Sequence, residues 1–238
     1  MHRTCRAPTR LVTGKLCRMT MTFEAVLFDC DGVLVDSEPI TMAVLRDMLA
    51  DAGWDMPLAE CMAEFVGVTV RSKAALIEAR TGRPLTDAWM AEFYERRNAA
   101  LQADLKAIAG ADVAVQAAHA AMGGRIACAS GADRFKVEMQ LAQVGLARWF
   151  GGAVFSGHEL PRTKPAPDVY LAAAAHLGVS PARCLVVEDT PTGIQAGVAA
   201  GATVWAYAPP GVDAAPLLAT GAQRVFAHMA DLATLLGH

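Results

Sequence analysis

Two apolar patterns recur along this chain. The first is a short, mostly apolar run that ends at a glycine, a serine or an acid. Phe23–Phe28 (FEAVLF) is the earliest, and a run of that length and composition predicts a parallel strand buried on both faces. Arg125–Ala129, Ala153–Ser156, Cys184–Val187 and Thr203–Ala208 repeat it, and Val225-Phe226 opens a sixth element. The second pattern spaces apolar residues three and four apart, as one face of a helix does. It covers Val113–Met122, stopped by Gly123-Gly124, and Phe135–Val144. It returns in Pro167–Leu177, opened by a proline, and in Gly193–Ala200, closed by Gly201. Strands alternating with helices predict an α/β protein with a doubly wound parallel sheet. Its active site is expected at the carboxyl ends of the strands. Residues 39–52, 57–80 and 86–105 carry the helical spacing alone, with turns at Gly53-Trp54 and Thr81-Gly82. Nothing strand-like falls between about 37 and 103, which predicts an inserted all-helical domain. The predicted organisation is a tail over 1–21, a sheet domain over 22–36 and 104–238, and the insert over 37–103.

Composition adds to this picture. Alanine, the best helix former, supplies 48 of 238 residues. With 54% hydrophobic and 19% charged residues, the chain has ample material for a core, which excludes a disordered acidic protein. The formal net charge of −3 conceals a basic, acid-free stretch over residues 1–20. That stretch resembles a transit peptide in composition, but the readings preferred are a disordered tail or an upstream start, with Met19 or Met21 beginning the functional chain. The rest of the chain is more acidic still, which argues against a nucleic-acid partner. No apolar run of about 18 residues predicts a membrane span. Six scattered cysteines without a CxxC pair suggest neither a zinc ribbon nor a redox pair, and point to reduced thiols in a cytoplasmic protein.

Four groups of reactive residues stand at predicted strand ends. Asp29-Cys30-Asp31-Gly32 follows the first strand. Two carboxylates placed together near a core need a cation or a proton, and Mg²⁺ suits oxygen ligands. An acidic turn reads equally well for this motif alone. Ser130, backed by Gly131, ends the second strand and offers a phosphate seat or a simple helix cap. Lys164 stands in the rigid segment RTKPAPD, in a chain with only five lysines, although a solvated lysine is the default for any single case. Glu188-Asp189 ends the fourth strand; capping would account for Asp189 but not for Glu188. Together the four outweigh their bland readings: acids to hold Mg²⁺, with Ser130 and Lys164 to neutralise a phosphoryl group.

These residues, in this order and spacing, resemble the haloacid dehalogenase superfamily. The match runs over about residues 22–238 through FDCDGVLVDSE, Ala129-Ser130, KPAPD and VVEDTPTGIQAG. It is nearest the branch with a helical cap after the first motif, which includes β-phosphoglucomutase and sugar-phosphate phosphatases. Phe155–Gly157 through Arg162–Lys164 resembles bacterial phosphatases of 6-phosphogluconate and related compounds. The resemblance implies a Rossmann-like core with a helical cap, a monomeric cytoplasmic enzyme, and a small phosphorylated metabolite as substrate. It implies Asp29 as nucleophile and Asp31 as general acid and base. Mg²⁺ would be held by Asp29, the Asp31 backbone carbonyl and Asp189, with Glu188 as a ligand or just behind. Ser130, Gly131 and Lys164 would bind phosphate. From the cap, Gly67 and Arg71 would meet substrate, with Asn98, Arg97 and Arg96 as further candidates; a solvated face is the preferred reading for Arg96. The mutase carries a histidine where this chain has Thr41, which favours a phosphatase over the alternative, a phosphosugar mutase. A receiver-like phospho-acceptor without turnover is the reading from another class; Asp31 and the insert argue against it.

Overall fold

The computed structural model describes residues 23–237. The tail, whose disorder the sequence predicts, lies outside them.

The chain starts with β1 (Ala25–Phe28) and leaves the sheet for four helices: α1 (Glu38–Asp51), α2 (Leu58–Phe65), α3 (Ala74–Thr81) and α4 (Asp87–Asp104). It returns through α5 (Ala111–Ala121) to β2 (Ile126–Ser130), α6 (Arg134–Gln143), α7 (Ala147–Phe150) and β3 (Val154–Ser156). Then follow α8 (Asp168–His176), β4 (Cys184–Glu188), α9 (Pro191–Ala199), β5 (Thr203–Tyr207), α10 (Ala215–Ala219), β6 (Arg224–Phe226) and α11 (Asp231–Leu236). The six strands are parallel, in the order β3-β2-β1-β4-β5-β6. β1 is therefore central, with β2 on one side and β4 on the other, and the strand order reverses there. Such a reversal leaves a crevice beyond the carboxyl ends of the strands.

Burial on both faces explains the apolar runs. Val26 and Phe28 pack with Leu185, Val187, α5 and α6 on one face. Ala25 and Leu27 pack with Cys184, Val186, α8 and α9 on the other. A strand alternates its side chains between faces, so both sets must be apolar when helices cover each. The helices α1 to α4 bury their own cluster, built on Leu45, Leu49, Cys61, Phe65, Ile77 and Phe93. Fully burying a side chain such as Phe65 contributes roughly 1.5–3 kcal/mol.

The helical spacing read over 57–80 is interrupted at the loop that holds Gly67 and Arg71. α2 stops at Phe65, and Gly67 takes a left-handed φ of +79°, which glycine adopts without steric cost. Thr69 then caps a 3-10 turn over Val70–Lys73 by accepting from Ser72 N–H at 3.2 Å. The apolar spacing continues across this break, so periodicity alone did not reveal it. Three helices absent from the predicted pattern, α7, α10 and α11, have 4, 5 and 6 residues. That is under two turns, too short for a helical period to register.

Candidate active site

Asp29 leaves β1 directly, and its N–H donates to the carbonyl of Val187 on β4 at 3.0 Å. The chain then folds back. Leu34 N–H reaches Cys30 O at 2.8 Å, and Gly32 N–H reaches Val35 O at 2.9 Å. Gly32 has φ +80°, and a Cβ there would overlap the Asp189 carboxylate. Glycine is thus required twice over, by backbone conformation and by space.

β4 delivers Glu188 into the same crevice. Its Oε1 accepts from Lys164 Nζ at 2.7 Å and from the Tyr170 hydroxyl at 2.9 Å. Its Oε2 accepts from Asp189 N–H at 2.9 Å and from the N–H and hydroxyl of Thr190, both at 3.1 Å. Glu188 is fully engaged and organises the loop around it. Lys164 also reaches Asp29 Oδ1 at 2.5 Å, so one buried ammonium joins both acids. Burial opposes its charge, but the two carboxylates keep Lys164 protonated well above the ordinary lysine range.

Asp189 is different: its Oδ1 is buried with no partner. Burial, then the charges of Glu188 and Asp29, push its pKa well above the usual carboxylate range. Burial likewise raises Asp29 to about 7, with Glu188 and Asp31 adding to the rise and Lys164 opposing it. Asp29, Glu188 and Asp189 each present an oxygen within 4.8 Å of the others. Two buried acids and the half-buried Asp189 against one ammonium leave uncompensated negative charge, and one oxygen has open valence. That donor set fits a hard, oxygen-seeking divalent cation.

The Asp31 carboxylate is not part of this group. Its Oδ1 accepts from Lys136 Nζ at 2.7 Å, from Gln140 Nε2 at 2.9 Å, and from the Ser37 hydroxyl. Burial would raise its pKa, but the Lys136 charge and these hydrogen bonds outweigh that and hold it at about 2. The sequence reading enlisted Asp31 for metal through its backbone carbonyl; its side chain is committed elsewhere.

A cavity of about 550 Å³ joins these groups. Asp29, Asp31, Ser130, Gly131 and Lys164 form its floor at the strand ends, and Gly67, Arg71, Tyr94 and Arg97 reach it from the helical side. Ser130 Oγ accepts from Ala132 N–H at 3.0 Å, so it pins its own turn while lining the cavity. Arg71 lines the rim, half-exposed and paired with Asp87 at 2.7 Å. Asn98 is a correction. It does not line the cavity, and its Oδ1 serves the guanidinium of Arg97, which does. Arg96 is an exposed residue tied to Glu92 and Asp51, as its solvated reading anticipated. Lys136, Gln140, Tyr170 and Thr190 were missed. The scarcity of lysine that drew attention to Lys164 was available for Lys136 as well.

A family model described as haloacid dehalogenase-like hydrolase matches residues 23–201. The chain belongs to that family. Among curated haloacid dehalogenase-like relatives, the 6-phosphogluconate phosphatase of Escherichia coli K12 is 30% identical over 185 residues, 77% of this chain and 82% of that one. The fructose-1-phosphate phosphatase of the same organism is 32% identical over 181 residues, 75% of this chain and 93% of that one. A crystal structure of a HAD family hydrolase from Deinococcus radiodurans R1, with bound phosphate and sodium, superposes with a TM-score of 0.76 at 36% identity. The match covers 91% of this chain and 96% of that one. This haloacid dehalogenase-like hydrolase is a phosphatase, which sets aside the non-enzymatic receiver reading.

Proposed function

We propose that this enzyme is a Mg²⁺-dependent phosphatase of small phosphorylated metabolites, sugar phosphates such as 6-phosphogluconate, acting through an aspartyl-phosphate on Asp29. One observation carries the reading. A buried carboxylate, Asp29, faces a cavity also lined by Ser130, Gly131 and Lys164, beside an acidic cluster with open valence. The names of the curated relatives support the substrate class.

An Asp29 oxygen attacks phosphorus, and the bond to the leaving oxygen breaks as the acyl-phosphate forms. Lys164, Ser130 and the Gly131 N–H hold the phosphoryl oxygens from the floor of the cavity. Mg²⁺ bound by Asp29, Asp189 and the Asp31 carbonyl, with Glu188 behind, would neutralise the clustered acids and the charge growing on the phosphoryl oxygens. Asp31, ionised in the arrangement seen, is ready to take a proton from the water that opens the acyl-phosphate. To protonate the leaving oxygen in the first half-reaction it must gain a proton and leave Lys136. The helices α1 to α4 act as the cap that keeps bulk water from the acyl-phosphate. The free, buried thiols Cys30, Cys61, Cys128 and Cys184 support work in the reducing cytoplasm. The mutase alternative gains nothing from the cavity wall, where Thr41 offers a hydroxyl and no ionisable ring.

The test is phosphate release from para-nitrophenyl phosphate. EDTA should abolish it and added Mg²⁺ restore it. Asp29→Asn should lower kcat by about a thousandfold or more. Turnover that survives in this variant removes Asp29 as nucleophile.

A further inference from the structure

Arg97 stands out among the cations facing the cavity. Lys164 is committed to Asp29 and Glu188, and Lys136 to Asp31. Arg71 is half-exposed and tied to an exposed acid. Arg97, on α4, has a side chain only 8% exposed. Burying a guanidinium is costly unless it is held, and this one is held on a single edge. Nε and Nη2 donate to Asn98 Oδ1 at 3.0 and 2.8 Å, and Nη2 also reaches Asp133 Oδ2 at 3.1 Å. The ring of Tyr94 lies under it, 4.8 Å from guanidinium carbon to centroid. Among the described residues Nη1 has no hydrogen-bond partner. A guanidinium has five N–H donors in a rigid fork, so a donor edge is left for a ligand.

We propose that Arg97 reads a second anionic group on the substrate, a carboxylate or a second phosphate, so that the enzyme favours doubly anionic phosphomonoesters over those with a neutral leaving group. The inference rests on the phosphatase reading and sharpens its substrate class. The phosphate seat is on the strand ends and Arg97 is on the cap, so one substrate is gripped from both sides of the cavity. Met90 and Phe93, on α4 seven and four residues before Arg97, line the same wall. Residues at that spacing share a helix face, and an apolar setting strengthens an ion pair. Asp133 loses nothing essential when the ligand arrives. Its Oδ1 accepts from Lys136 N–H at 2.9 Å as the cap of α6, and its side chain is 34% exposed.

The experiment measures kcat/KM for two pairs of esters with wild type, Arg97→Gln and Arg97→Lys. The pair 6-phosphogluconate and glucose 6-phosphate isolates a carboxylate; the pair fructose bisphosphate and fructose 6-phosphate isolates a second phosphate. Wild type should prefer the more anionic member of at least one pair by about tenfold or more, the scale of one charge-assisted hydrogen bond. Arg97→Gln should erase that preference chiefly through KM, and Arg97→Lys should keep part of it. No preference in wild type, or equal losses on both members of each pair, overturns the proposal. If wild type cleaves neither these esters nor para-nitrophenyl phosphate, the phosphatase reading itself fails. If it cleaves them without discrimination, only the role of Arg97 fails.

Discussion

Asp189→Asn preserves the shape of a half-buried side chain whose Oδ1 is buried and removes its charge, and it should stabilise the metal-free protein. Asp189 presents an oxygen within 4.8 Å of oxygens on both Asp29 and Glu188. Two unit charges at that distance repel by about 3–4 kcal/mol at an effective dielectric near 20. A bound proton relieves the repulsion, and burial together with the two acids pushes the Asp189 carboxyl well above its ordinary 3.8. Holding that proton near pH 7 costs at most about 4 kcal/mol, at roughly 1.4 kcal/mol per pH unit. Asparagine removes whichever cost is smaller, on the order of 3 kcal/mol. For a chain of this size that is a rise in Tm of roughly 6–12 °C in EDTA. The sign with pH follows from linkage. The native state keeps a proton that the unfolded chain sheds above 3.8, so the native state binds more protons and wild-type stability falls as pH rises from there. The advantage of the variant should therefore open above about pH 4 and vanish below it. Mg²⁺ reverses the order at a thousandfold excess over Kd, where it stabilises wild type by about 4.1 kcal/mol and the variant by much less. Thermal melts between about pH 4 and 8, in EDTA and in Mg²⁺, read both effects. A variant that melts below wild type in EDTA near pH 7, or that keeps the full Mg²⁺ shift, refutes the reasoning.

Asp31→Asn should lower kcat on a sugar phosphate by roughly a hundredfold to ten-thousandfold. The loss on para-nitrophenyl phosphate should be smaller, because nitrophenolate departs without a proton; equal losses would deny Asp31 the role of acid. Gly193→Ala, in the first turn of α9, places a Cβ on the Glu188 carboxylate. Displacing that buried acid from Lys164 should cost about 3 kcal/mol and lower Tm by roughly 6–12 °C, with loss of turnover. A melt unchanged from wild type would show that Glu188 yields freely.

The sheet and the polar residues at its strand ends were legible in the sequence, for one physical reason. A parallel strand covered on both faces must be apolar throughout, so an acid, a serine or a glycine marks where it emerges. Asp29, Ser130, Glu188 and Asp189 all sit at such exits. Lys164 declared itself by scarcity and by the prolines around it.

Helix-borne members of the site were not legible. Lys136 and Gln140 meet Asp31 from more than 100 positions away, and Tyr170 meets Glu188 across the crevice. Adjacent residues on a helix point about 100° apart, so choosing between Arg97 and Asn98 needs the rotation of α4 against the sheet domain. Only packing sets that angle: Phe93 and Leu101 turn inward, and Arg97 between them follows. Local sequence thus determined the strands, their exits and the chemistry placed there. Tertiary structure decided which acid lacks a partner, which lysine holds Asp31 and which of two neighbouring residues, Arg97 or Asn98, lines the cavity, because those depend on the phase and docking of helices that no local pattern encodes.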